Sequence, residues 1–71
     1  MTDLYNEIKD AQMIAANLLN QGEELEHICK CLNGALPSTY IIEGYAIKLL
    51  TNNSSYFIAE MPGVPDAYHT N

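Results

Sequence analysis

An all-α domain is the fold class that three features of this chain predict. A long amphipathic stripe opens it, a second stripe follows a glycine, and paired apolar residues recur four apart in its middle. The expected architecture is a helical hairpin of residues about 2–21 and 23–33. A third helix follows over about 37–53, and an extended tail over 54–71. All four belong to one small domain spanning 1–71.

The first helix rests on Leu4, Ile8, Ala11, Ala15 and Leu18, which fall at helical spacing, with Ile14 and Leu19 widening the stripe. Thr2 or Asp3 is placed to cap its start, since a side-chain oxygen there accepts an orphan backbone N–H. Gly22 follows the last periodic residue and suits a left-handed C-terminal cap. The second helix rests on Leu25, Ile28, Cys29 and Leu32, with Glu23, Glu24 and Glu26 at the end where the helix dipole favours anions. The short Gln21-Gly22 link makes antiparallel packing of the two helices natural.

The third segment supports two readings. Ile41, Ile42, Tyr45, Ala46, Leu49 and Leu50 come in pairs four apart, as on a helix, and Pro37 suits a helix start. Thr39, Tyr40, Ile41 and Ile42 are also good strand residues, and Glu43-Gly44 suits a turn. Neither parity alternates cleanly, so helix is the preferred assignment. The alternative is an α+β fold with residues 39–60 as a β-hairpin or meander.

Charge narrows the function. Nine carboxylates face three lysines and no arginine, for a net charge of −6. Bare nucleic acid and anionic membrane surfaces repel such a chain. The run from Leu25 through Tyr40 superficially matches a helix-turn-helix, but its second helix would carry no arginine to anchor phosphates. No apolar run reaches the 18 or so residues of a membrane span. Met1-Thr2-Asp3 leads straight into the amphipathic pattern, so a cytoplasmic protein is expected. Cys29 and Cys31 sit two apart in a helical segment, where their side chains diverge by roughly 200° and do not bridge. A chain this short has a marginal core, which favours self-association as a homodimer.

Catalysis and cofactors are not expected. The glycines at 22, 34, 44 and 63 are scattered and form no phosphate loop. Cys31 beside His27 is the sole local nucleophile–base pair, and a helical surface offers it no pocket. Those two residues also give two of the four ligands that a structural zinc takes, so a metal-binding sensor is one alternative function.

The favoured reading is a non-enzymatic, acidic protein-binding module. Asp3, Glu7 and Asp10 fall on one side of the first helix, roughly 5–6 Å apart along its axis, near the spacing of phosphates on a strand. Glu23, Glu24 and Glu26 form a second cluster at the far end of the hairpin. Tyr40 and Tyr45 add amphipathic anchors. Together these eight residues are the candidate partner-binding set. They suit an inhibitor or adaptor acting on a basic, nucleic-acid-handling partner, and the size fits a phage or mobile-element product. The remaining alternative is a self-associating structural or regulatory dimer whose acidic surface serves solubility.

Overall fold

A computed structural model describes residues 3–63. Thr2 and the distal part of the expected tail, 64–71, lie outside the described residues.

The hairpin forms as its capping chemistry requires. Helix α1 spans Leu4–Asn20. Asp3 stays extended before it, and its Oδ1 accepts the Tyr5 N–H at 3.1 Å. At the other end Gly22 adopts φ 86°, which a side chain would resist. This lets the Gly22 N–H reach the Leu19 carbonyl and the Glu23 N–H reach that of Leu18, both at 3.0 Å, and the chain reverses. Helix α2 then spans Leu25–Ala35, with its buried side formed by Leu25, Ile28, Cys29 and Leu32.

Beyond α2 the fold is α+β, not all-α. The expected third helix over 37–53 and the start of the expected tail are instead three strands: β1 Thr39–Glu43, β2 Ala46–Leu50 and β3 Ser55–Glu60. They form an antiparallel meander in the order β1-β2-β3. The α+β alternative over 39–60 is therefore the correct one. Two causes hid it. Ile41, Leu50 and Phe57 put apolar residues on the open face as well as the covered one, so alternation is masked. A bulge between the partners of Ile47 and Lys48 also shifts the parity of β3 by one, leaving Ile58 as the extra residue. Gly44 and Tyr45 make the two-residue turn between β1 and β2. Of these two residues Gly44, at the first turn position, has the positive φ (65°), which is the type II′ pattern of tight hairpins.

Both helices cover one face of the sheet, α2 over β1 and α1 over β3. Tyr40, Ile47, Leu49 and Ile58 point into this layer from the sheet, and all four are buried. Ala11 and Ala15 on α1 are fully buried, and their small side chains let the helix lie close. Ile28 and Leu32 fill the space from α2.

One charged side chain enters this layer. Glu7 of α1 is only 4% exposed. Its carboxylate accepts from the Tyr40 hydroxyl at 2.6 Å, the Ser38 hydroxyl at 3.0 Å and the Ser38 N–H at 3.2 Å. Burial alone would raise its pKa, but these donors more than compensate and hold it below its ordinary 4.5. The Tyr40 hydroxyl is pushed well above its ordinary 10 by burial and by the carboxylate it serves. Asn33 of α2 secures the same tyrosine by its backbone. Its Oδ1 accepts the Tyr40 N–H at 2.8 Å and its Nδ2 donates to the Tyr40 carbonyl at 3.0 Å, as a neighbouring strand would. The Cys29 thiol donates to that carbonyl too, at 3.3 Å.

A carboxylate held below its unfolded pKa stabilises the fold above that unfolded value. The contribution is lost as pH falls through the folded one. Glu7 therefore gives the protein an acid limb that begins below about pH 4.5. Glu7→Gln should cost about 1.5–3 kcal/mol at pH 7, the worth of hydrogen bonds to a charged group. It should also flatten that limb. Urea denaturation at pH 7 and pH 3.5 checks both: an equal loss for wild type and variant between the two pH values would contradict the assignment.

Candidate functional site

The surface that the fold leaves uncovered is the second face of the sheet. Strand register orders it in three rows. Ile41, Lys48 and Phe57 lie side by side across the middle. Glu43, Ala46 and Glu60 form the row toward the β1–β2 turn, and Thr39, Leu50 and Ser55 the row at the opposite end. Phe57 is 50% exposed and Leu50 36%. Lys48 donates to Glu43 Oε1 at 2.9 Å across this face. Ile41, Leu50 and Phe57 thus surround an ion-paired lysine inside a polar, partly acidic rim, a mixture of apolar and polar groups that protein interfaces share. Each outer strand meets one side-chain amide from a helix, Asn33 on the Tyr40 backbone and Gln12 Nε2 on the Phe57 carbonyl at 3.4 Å.

The residues singled out from the sequence disperse. Glu7 and Tyr40 are buried and bonded to each other, so they tie the layers together rather than present a surface. The line of Asp3, Glu7 and Asp10 thus loses its middle member. Asp3 and Asp10 remain exposed, Asp3 as the cap of α1. Glu24 and Glu26 are exposed at the start of α2, and Glu23 is half-buried with its Oε1 3.7 Å from His27 Nε2. Tyr45 is 44% exposed on the turn between β1 and β2. His27 and Cys31 do come together, with Nε2 and Sγ 3.6 Å apart on α2.

Sequence reasoning passed over the open face because its residues were assigned to a helix and a tail. A signal was available. Glu7 falls three after Leu4 and four before Ala11, on the apolar stripe itself, which marks a carboxylate that must be received inside. Among the described residues no helix is long and apolar enough to cross a membrane.

The chain matches no protein-family model, no curated protein and no solved structure.

Both cysteines are free thiols, yet they differ in reach. Cys29 is buried, donates to the Tyr40 carbonyl, and has its thiol pushed up by burial. Cys31 is partly exposed. Maleimide labelling of the folded chain, followed by peptide mass spectrometry, should modify Cys31 first and reach Cys29 only on unfolding. Equal rates at both would contradict the burial of α2 against β1.

Proposed function

We propose that the chain is a non-enzymatic protein-binding module that docks a basic partner on the open face of its sheet. The observation that carries this reading is the apolar group of Ile41, Phe57 and Leu50 around Lys48 on the face of the sheet that the helices leave open. In a domain this small, apolar surface left in water weakens an already marginal core, and contact with a partner would remove it.

Charge sets the class of partner. The net charge of −6 attracts a basic protein, of the kind that nucleic-acid-handling proteins present, and disfavours nucleic acid itself. Two of the three lysines already face partners inside the chain: Lys48 is paired with Glu43, and Lys9 stands over the Tyr5 ring with Nζ 5.2 Å from its centroid. Asp10, Glu24 and Glu26, all exposed, contribute to the long-range field, and Glu43 to the rim of the face. An inhibitor or adaptor would use these two parts differently. The field speeds encounter, and Phe57 and Leu50 set how long the complex lasts.

The test is binding kinetics against a partner captured on the immobilised chain, at two ionic strengths. Phe57→Ser and Leu50→Ser should accelerate dissociation about tenfold or more, as loss of a central anchor does. Met13→Ser, which removes an exposed apolar residue from α1, should leave it unchanged. Added salt should slow association. Capture that survives both substitutions on the sheet, or that ignores salt, would overturn the proposal.

A further inference from the structure

We propose that His27 and Cys31 form half of a zinc site, completed by the same two residues of a second copy of this chain. The pair sits at i, i+4 on the outward side of α2, with Nε2 and Sγ 3.6 Å apart. Zinc holds a thiolate sulfur at about 2.3 Å and an imidazole nitrogen at about 2.0–2.1 Å in a tetrahedron, which sets the two donors about 3.6 Å from each other. The two side chains are hydrogen-bonded to each other at this distance, and the same separation suits two donors on one zinc. Both donors can be reached, since the His27 side chain is 56% exposed and Cys31 is partly so. Glu23 Oε1, 3.7 Å from the same Nε2, adds negative charge that favours a cation there.

A second copy is required by ligand number. Among the described residues no three His, Cys, Asp or Glu side chains are grouped so as to hold a metal ion. A structural zinc takes four ligands, so one chain supplies half the set. A two-fold axis beside α2 brings the same pair from the other copy to the same point, giving two sulfurs and two nitrogens. The shared ion also answers a weakness of this chain, because it staples a small domain. On binding, each Cys31 thiol releases its proton to solvent and each His27 coordinates as the neutral imidazole. The site lies on the helical side of the molecule, so it does not depend on the role of the open sheet face.

The experiment titrates the reduced, metal-free chain with zinc in competition with a chromophoric chelator. Sedimentation equilibrium follows the mass, and cobalt serves as the spectroscopic substitute. The expected result is one ion per two chains and a doubling of the 7.9 kDa mass. The cobalt complex should show thiolate charge transfer and tetrahedral d–d bands. Cys31→Ser and His27→Ala should each weaken binding more than about a hundredfold, beyond what loss of a supporting residue costs, with the far-ultraviolet circular dichroism unchanged. Glu24→Gln should bind as wild type does. The absence of binding would overturn the proposal. So would one ion per chain without a change of mass, a cobalt complex lacking the thiolate band, or binding that survives either ligand substitution.

Discussion

The buried carboxylate of Glu7 is the constraint around which the rest of this molecule is arranged. Removing an ionised group from water is costly unless every strong acceptor site finds a donor. Here the donors come from the loop after α2 and from the first residues of the sheet: Ser38 by its N–H and hydroxyl, and Tyr40 by its phenol. The demand of one side chain on α1 therefore fixes where β1 begins and which way Tyr40 faces. A one-residue slip of β1 would turn Tyr40 to the open face and leave Glu7 without its shortest bond. Asn33 and Cys29 then hold the Tyr40 backbone from α2, so both helices converge on one residue of β1. No buried side-chain polar atom among the described residues is left without a partner.

That arrangement explains which parts of the fold could be read from the chain. The helices were legible because their stripes, the Asp3 cap and Gly22 are local signals that act within a few residues. The sheet was not, because strand pairing is non-local and its usual mark, alternation, was obscured. Ile41, Leu50 and Phe57 are apolar on the uncovered face, and the bulge at Ile58 resets the parity of β3. Ile41, Ile42, Tyr45, Ala46, Leu49 and Leu50 match a helical period equally well, so the tertiary context decided between them. The helical hairpin needs a broad apolar surface to cover, and a sheet supplies it where a single third helix would cover less.

The candidate site was partly legible for a related reason. Carboxylates at i, i+4 and i+7 look alike in sequence whether solvated or received inside. Only the position of Glu7 within the Leu4–Ala11 stripe separates it from Asp3 and Asp10. Tyr40 was correctly read as amphipathic, but its polar tip serves Glu7. The pairing of His27 with Cys31 needed only helical spacing and was visible from the start. The distance between their donor atoms is what gives it chemical meaning. The open sheet face emerged only once register placed Ile41, Lys48 and Phe57 in one row.

The central claim is that Glu7 and Tyr40 act as one unit that sets the packing of helix on sheet. A double-mutant cycle measures this most directly, with Glu7→Gln, Tyr40→Phe and the combined variant compared by urea denaturation at pH 7. Residues that share a buried, charge-assisted hydrogen bond should couple by about 1.5 kcal/mol or more, so that the second substitution costs much less once the first is made. Costs that add to within about 0.5 kcal/mol would show that the two side chains are stabilised independently, and would contradict the account.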